Sequence, residues 1–170
     1  DRYSSNIILH AFQFVVNTYS IENHLIESFF SSMRSDLSKK KHSSETYDEY
    51  VYGSAEVVGL MCLRVFTKND QKLYESLVKP AKKLGSAFQK VNFFRDIKED
   101  FFEKGRTYFP GFEIEKNLND VQKSNIEDEI SNEFEEALKG IYKLPLTSRF
   151  GVLLACRYYK KLFKQLKSTP

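Results

Sequence analysis

The sequence predicts an all-α fold organised as one helical domain over residues 1–170. Apolar residues recur at spacings of three and four along most of the chain, which is the period of an amphipathic helix. The alternation typical of half-buried strands, with Asn-Gly turns between them, is absent from the sequence. A chain of 170 residues is also long enough to enclose a substantial core.

Helix boundaries are predicted from caps and breakers along the chain. Residues Thr46 to Glu49 have the capping-box pattern, in which each side chain satisfies a free backbone amide, so a helix is expected to start there. Pro80 and Pro145 are expected to separate helices, because proline lacks the amide proton that a helix interior needs. The predicted helices cover residues 6–17, 21–38, 46–66, a short stretch ending at 80, 81–103, 121–142 and 146–167.

Charge and cysteine content exclude several classes of function. The 26 basic and 23 acidic residues are interspersed and give a net charge of +3, so the sequence predicts no nucleic-acid partner. Cys62 and Cys156 are isolated in apolar stretches, which is typical of reduced, buried thiols in a cytoplasmic protein and cannot form a metal site. The longest apolar run, Val57 to Leu63, is far shorter than the about 20 residues of a membrane-spanning helix.

A polar stripe lies on a predicted helix that is otherwise apolar. At about 100° per residue, Gln89, Asn92, Asp96 and Asp100 fall on one face, whereas most of the remaining circumference is Leu, Val and Phe. Two buried carboxylates four residues apart would repel each other, and a divalent cation removes that conflict. Oxygen ligands of this type suit Mg²⁺ bridged to phosphate groups, with Arg95 available to pair with a phosphate. The alternative is an exposed acidic cluster near a helix end, paired with lysines.

The same stripe is part of a longer pattern that resembles the second aspartate-rich motif of squalene and phytoene synthases. The pattern comprises Leu84-Gly85, Gln89, Asn92-Phe93, Arg95-Asp96-Ile97, Asp100, Arg106, Tyr108 and Pro110. A second resemblance lies upstream, where residues 50–61 (Tyr-Val-Tyr-Gly-Ser-Ala-Glu-Val-Val-Gly-Leu-Met) are similar to the Tyr-Cys-x-x-Val-Ala-Gly-x-Val-Gly segment of that family. The resemblance covers about residues 21–166 and implies an isoprenoid-synthase-type helical bundle around a central cavity.

The upstream segment also allows a physical argument. Tyr50, Gly53 and Val57 share one face of a regular helix, and small residues on that face leave room for a chain-like ligand. Close helix–helix packing at Gly53 and Ala55 is the alternative, because small residues serve both purposes. Glu56 stands where the family has Gly, and the helical period predicts that it points away from the Tyr50 face.

The resemblance implies a prenyltransferase that condenses two prenyl diphosphates head to head, with Mg²⁺ as cofactor and Mn²⁺ as a substitute. Geranylgeranyl diphosphate, giving phytoene in carotenoid biosynthesis, is expected because both segments look most like bacterial carotenoid-pathway members. Farnesyl diphosphate, giving squalene or dehydrosqualene, is an alternative. A third alternative is a non-catalytic relative that assists assembly of respiratory complex I, although such relatives tend to lose the motif carboxylates that this chain retains.

The functional residues of the family correspond to specific positions in this chain. The resemblance implies metal ligation by Asp96, Asp100 and Asn92. It also implies catalytic roles for Tyr50, Asp96 and Asp100. Substrate binding is implied for Gln89, Asn92, Arg95, Gly53, Ala55, Val57, Arg106 and Tyr108.

One feature of the family is absent, because no D-x-x-x-D pattern precedes Tyr50, where the first aspartate-rich motif is expected. The chain is therefore expected to be a fragment that lacks the N-terminal helices with that motif, and to be inactive by itself. Long apolar substrates also lead us to expect peripheral membrane contact by a cytoplasmic protein, to which the basic stretch from Tyr158 to Lys161 would contribute.

Overall fold

The computed structural model of the chain describes residues 4–35, 44–102 and 120–168, and its side-chain description omits residues 44–46, 97–102, 120 and 122. All regular secondary structure in these ranges is helical, which confirms the all-α prediction. The elements are α1 (Ile7–Thr18), α2 (Asn23–Ser35), α3 (Ser44–Val51), a π-helical segment (Tyr52–Glu56), α4 (Val57–Thr67), α5 (Gln71–Phe102), α6 (Asp120–Ile141) and α7 (Leu146–Lys167).

The third predicted helix is a continuous run formed by α3, the π segment and α4. This run already includes Ser44, so Thr46 lies inside the helix and the predicted capping-box start is wrong. At the π segment, the hydroxyl group of Ser54 donates a hydrogen bond to the carbonyl oxygen of Tyr50, 2.6 Å away. A π turn holds one more residue than an α turn, so residues after it are rotated by about 100° from the positions a regular helix would give.

Helix α5 continues through Pro80, so the predicted boundary at that residue is wrong. A proline in a helix interior costs about 3 kcal/mol, because it removes a hydrogen bond and crowds the preceding turn. Tertiary packing offsets this cost, since α5 contacts α4, α6, α7 and the π segment. The ring of Pro80 itself lies against Gly140 of α6, where an added Cβ atom would collide with it.

Buried apolar clusters in the described residues place α5 at the centre of the fold. The largest cluster joins α5, α6 and α7 and contains Ala87, Val91, Ile130, Phe134, Ile141, Cys156 and Phe163. The smaller clusters are formed by Tyr47, Tyr50, Val51 and Phe93, by Leu63, Tyr74, Leu77 and Leu144, and by Leu25, Val57 and Leu60. Helix α5 contributes buried residues to three of these clusters, so its position determines where the other helices lie.

Several apolar side chains are exposed to solvent in the described ranges. Helix α1 buries none of its residues. On α7, four exposed side chains follow one another at a spacing of four: Leu146, Phe150, Leu154 and Tyr158. No described helix is both long enough and apolar enough to cross a lipid bilayer.

A buried ionic cluster fixes the rotation of α5 against α6. Glu133 of α6 is only 3% exposed, and its Oε1 atom accepts hydrogen bonds from the Lys83 ammonium (3.0 Å), the Ser86 hydroxyl (3.0 Å) and the Lys90 ammonium (2.9 Å) of α5. Lys90 is 4% exposed and also contacts Glu129 Oε1 at 2.5 Å. Because a buried charge without a partner is costly, this cluster disfavours any rotation of α5 that separates its members.

We predict that Glu133→Ala lowers the free energy of unfolding by about 3–5 kcal/mol, because it leaves the Lys90 ammonium buried with a reduced set of partners. The double variant Lys90→Met/Glu133→Leu should recover most of that loss, since apolar groups of similar volume replace buried ion pairs at little cost. Urea denaturation followed by circular dichroism measures both effects.

Glu136→Ala serves as the control, because Glu136 pairs with exposed Lys79 and such surface pairs contribute little to stability. Its unfolding midpoint should match that of the unmodified chain. A double variant as unstable as Glu133→Ala would show that lost packing, and not an unpaired buried charge, causes the destabilisation.

Candidate functional site

A cavity of about 670 Å³ lies between the π segment with α4 on one side and α5, α6 and α7 on the others. Most of its wall is apolar, and many of the lining residues are small. The lining residues are Ser54, Ala55, Val58, Gly59, Cys62, Leu63, Phe66, Leu77, Pro80, Ala81, Leu84, Gly85, Phe88, Gln89, Asn92, Ala137, Gly140, Ile141, Leu144, Thr147, Ser148, Gly151, Val152, Ala155 and Tyr159. A cavity of this size and lining accommodates an apolar molecule of drug size or larger.

The cavity is elongated along α5. Its lining on this helix extends from Leu77 to Asn92, fifteen residues apart, which corresponds to about 22 Å at the helical rise of about 1.5 Å per residue. The end near Leu77 is lined mainly by apolar residues, among them Leu63 and Leu144, with the exposed Thr147 and the half-buried Ser148 beside them. The end near Asn92 is polar. The shape therefore suits a long apolar chain that carries a polar group at one end.

Side chains of α5 and α7 meet at the polar end. The hydroxyl group of Tyr159 donates a hydrogen bond to Asn92 Oδ1 over 3.4 Å. The Phe88 ring stacks on the Tyr159 ring, with centroids 4.0 Å apart and an angle of 21° between the planes. Gln89 and Ser54 complete this part of the lining. The structure thus brings the predicted residues Gln89 and Asn92 together at the mouth of an apolar cavity, with two aromatic rings beside them.

An ion pair occupies the next turn of α5, beyond Asn92. Arg95 donates two hydrogen bonds to Asp96, from Nε to Oδ1 and from a terminal nitrogen to Oδ2, both over 2.6 Å. This pairing raises the pKa of the Arg95 guanidinium above its ordinary value. The two side chains are 48% and 32% exposed. Since solvent reaches both groups, the pair contributes little stability and is open to exchange with other charged ligands.

The remaining motif residues are described only in part. The backbone of Asp100 lies in α5, one turn after Asp96, but its side chain is outside the described residues. Arg106 and Tyr108 also lie outside the described residues. Their implied roles in substrate binding stay predictions.

The donor atoms at the polar end fit the predicted cation. In the parts of the chain that the structure describes, no three His, Cys, Asp or Glu side chains are grouped closely enough to hold a metal by themselves. Mg²⁺ does not require such a group, because it is usually bound by one or two carboxylates together with water and the phosphates of a substrate. Asp96 supplies a carboxylate and Asn92 an amide oxygen on adjacent turns of one helix. This set suits a cation that is completed by its substrate.

Tyr50, Gly53 and Val57 lie outside the cavity lining. The buried Tyr50 ring stacks on Phe93, with centroids 5.9 Å apart. Val57 is buried in the cluster with Leu25. All three residues therefore pack inside the protein, and the assignment of each to catalysis or substrate binding stays a prediction.

Gly53 provides close packing between helices, which was the alternative considered from the sequence. A Cβ atom at this position would collide with the side chain of Ser32 and would lie 2.7 Å from the carbonyl oxygen of Ser28, both on α2. Ala55, in contrast, lines the cavity. Glu56 does not line the cavity, and its carboxylate pairs with the ammonium group of Lys82 at 2.9 Å.

Sequence reasoning missed the contributions of α4 and α7 to the cavity wall. On α4 the lining residues Val58, Gly59 and Cys62 follow the π segment, whose extra residue brings a different face toward the cavity than a regular helix would. On α7, Gly151, Ala155 and Tyr159 recur at a spacing of four, a pattern that the sequence contains. Small side chains at this spacing could have predicted that this face of α7 lines a cavity.

Comparisons with known proteins agree with these observations. The family model for squalene/phytoene synthases matches residues 2–170. The chain is 29% identical to the chloroplastic phytoene synthase of Daucus carota over 172 residues, which cover 90% of this chain and 42% of that protein. It is 28% identical to the bifunctional lycopene cyclase/phytoene synthase of Blakeslea trispora over 165 residues, which cover 85% of this chain and 27% of that protein.

Among solved structures, the crystal structure of the squalene synthase HpnC from Alicyclobacillus acidocaldarius superposes with a TM-score of 0.78 at 19% sequence identity. The match covers 92% of this chain and 64% of that chain. This similarity confirms the predicted helical fold. The chain spans less than half the length of these two proteins from Daucus carota and Blakeslea trispora.

We predict that Cys62 reacts slowly with N-ethylmaleimide at neutral pH and faster as the pH rises. Cys62 is exposed, so the prediction of a buried thiol is wrong at this position. The surrounding cavity wall still desolvates the thiol and raises its pKa, and the thiolate is the reactive form. Because Cys62 lines the cavity, a linear C15 or C20 isoprenoid alcohol that enters the cavity should slow the reaction further. Peptide mass mapping after timed quenching measures the modification rate.

Cys156 is the internal control, because it is fully buried in the largest apolar cluster and should react only on global unfolding. Equal, slow modification of both thiols would contradict an accessible cavity wall at Cys62. Modification of Cys62 at an unchanged rate in saturating alcohol would contradict binding of isoprenoid chains in the cavity.

Proposed function

The chain belongs to the squalene/phytoene synthase family, and from this premise we propose that the complete protein condenses two molecules of geranylgeranyl diphosphate head to head. The product is phytoene, and both diphosphate groups are released. The observation that supports this proposal most directly is the elongated apolar cavity. Its polar end is lined by Asn92, and the Arg95–Asp96 pair, outside the lining, follows on the next turn of α5.

The dimensions of the cavity favour a C20 chain over a C15 chain. With carbon–carbon bonds of about 1.5 Å, the extended main chain of a C20 prenyl group spans about 19 Å and that of a C15 group about 14 Å. The lining of α5 spans about 22 Å between Asn92 and Leu77. A C15 chain with its diphosphate at the polar end would leave the part nearest Leu77 empty, and unfilled apolar space forfeits contact energy.

The polar residues of α5 have distinct proposed tasks around the diphosphate groups. Asp96, Asp100 and Asn92 hold Mg²⁺, or Mn²⁺ in its place, which supplies charge stabilisation for the departing diphosphate. Arg95 pairs with diphosphate oxygens, for which its planar guanidinium is well suited, and Gln89 donates a hydrogen bond nearby. Tyr159 holds the Asn92 side chain in place through the hydrogen bond between them.

The apolar wall stabilises the reacting carbons by a different effect. Departure of diphosphate leaves an allylic cation, which the double bond of the second prenyl chain attacks. The cavity wall excludes water that would otherwise capture the cation. The Phe88 and Tyr159 rings, which stack on each other, both line the cavity, and aromatic rings attract a nearby cation. Tyr50 is proposed to steer the cation or relay a proton, and Ala55 to border the prenyl chain.

We predict that the complete protein with Mg²⁺ converts the C20 diphosphate into a C40 hydrocarbon, detected by mass spectrometry of organic extracts. Asp96→Asn should lower kcat/KM by about 100-fold or more, because a group that stabilises the leaving oxygens loses its charge. Asp128→Asn is the matched control. Asp128 is exposed on α6 and should be replaceable without effect.

The other outcomes separate the competing functions. A C30 product from the C15 diphosphate, with no C40 product, would keep the mechanism and identify a squalene or dehydrosqualene synthase. No product from either substrate with folded protein would favour the non-catalytic assembly factor. Unchanged turnover in Asp96→Asn would contradict the metal assignment.

Peripheral membrane contact through α7 is proposed as a further property of the protein. The helix contains no Asp or Glu, and its exposed apolar residues stand beside basic ones: Arg149, Arg157, Lys160, Lys161, Lys164 and Lys167. An apolar stripe with basic neighbours favours the surface of an anionic bilayer. Co-sedimentation with vesicles containing phosphatidylglycerol should therefore exceed that with phosphatidylcholine alone, and Phe150→Ser should reduce it. Equal, negligible sedimentation with both vesicles would contradict this contact.

A further inference from the structure

Gly151 is the described glycine whose lack of a side chain is not explained by packing. A Cβ atom added at Gly151 would have no other atom within 4 Å. At each of the other four glycines in the described residues, an added Cβ atom would lie closer than 3 Å to a neighbouring helix. Those four are Gly53 against Ser32, Gly59 against the carbonyl oxygen of Ala81, Gly85 against the carbonyl oxygen of Ala55, and Gly140 against Pro80.

Glycine at position 151 has a cost that packing does not offset. Gly151 lies in the interior of α7, where glycine is less favourable than alanine by about 1 kcal/mol. An alanine would fit at this position without displacing any neighbour. Gly151 is exposed and borders the cavity, so the open space beside it is continuous with both the cavity and the solvent. The position therefore keeps empty a volume that a ligand can fill.

The depth of Gly151 in the cavity relates it to the length of a prenyl chain. Gly151 precedes Tyr159 of the polar end by eight residues of α7, which corresponds to about 12 Å at a rise of about 1.5 Å per residue. The extended C15 chain ends at about 14 Å, so the fourth isoprene unit of a C20 chain lies just beyond this level.

We propose that Gly151 determines the longest prenyl chain that the cavity accepts, because a side chain at this position closes the part that receives the fourth isoprene unit. This inference rests on the proposed function and identifies the residue that sets its substrate length. Gly151 affects the length of the accepted chain only through the space that its missing side chain leaves open. Any larger side chain at this position of α7 narrows the cavity beside it.

The test compares Gly151→Ala, Gly151→Leu and Gly151→Phe in the complete protein. The ratio of kcat/KM for the C20 diphosphate to that for the C15 diphosphate should fall with side-chain size, by about 100-fold for phenylalanine. The C15 substrate should retain its activity in each variant. Gln165→Phe is the matched control, because Gln165 is exposed on the same helix and does not border the cavity.

A binding measurement tests the same inference without turnover. Protection of Cys62 from alkylation is compared for C20 and C15 isoprenoid alcohols within each variant. The C20 alcohol should protect at a lower concentration than the C15 alcohol in the unmodified protein and should lose this advantage in Gly151→Phe. Thermal unfolding identifies any variant that fails to fold, and Gly151→Ala, which fits the free space, should remain folded.

Two failures are distinguishable. No product from either diphosphate with the unmodified protein would overturn the proposed function, while the protection assay would still decide the role of Gly151. A C40 product from the unmodified protein, with an unchanged substrate ratio in Gly151→Phe, would overturn the inference alone. Equal loss of both substrates in a folded Gly151→Phe protein would overturn it as well.

Discussion

The buried contact between α5 and α6 is the constraint on which the site depends. Glu133 accepts three hydrogen bonds from Lys83, Ser86 and Lys90, so one side of α5 is held against α6 by charges that cannot be exposed or separated cheaply. The cavity residues of α5 occupy other positions on the same helix, among them Gln89 and Asn92. Fixing the charged side therefore fixes the direction in which the polar stripe points.

Helix α5 thus carries two kinds of polar group: one that must stay buried and paired, and one that must be reached by ligands. Lys90 and Glu133 are buried and paired with each other, so they hold α5 against α6 and are closed to ligands. Arg95 and Asp96, near the other end of the same helix, form a pair that solvent reaches. Polar residues of this helix thus serve structure where they are enclosed and are available for chemistry where solvent reaches them.

The sequence predicted the parts of the site that follow regular helical geometry. Gln89 and Asn92 lie on one regular stretch of α5, so counting at 100° per residue placed them together correctly. The same counting failed after Tyr52, because the π segment adds a residue to the turn and no local sequence signal identifies it. It also failed at Pro80, where packing against Gly140 outweighs the local cost of proline. Departures from the expected period came from tertiary contacts, which a count along one helix does not include.

The Arg95–Asp96 pair reduces the repulsion expected between the carboxylates of the polar stripe. Carboxylates at consecutive turns of one helix repel each other. In the ligand-free protein the negative charge of Asp96 is balanced by the adjacent Arg95 guanidinium, which donates two hydrogen bonds to it. Under the proposed function, the diphosphate pairs with Arg95 and the cation pairs with Asp96. One charge-assisted contact between the two side chains is thus replaced by two contacts with the ligand. Because both side chains are reached by solvent, breaking the pair costs little. The resting ion pair therefore keeps both groups oriented on the helical turn after the lining residue Asn92, without a large barrier to binding.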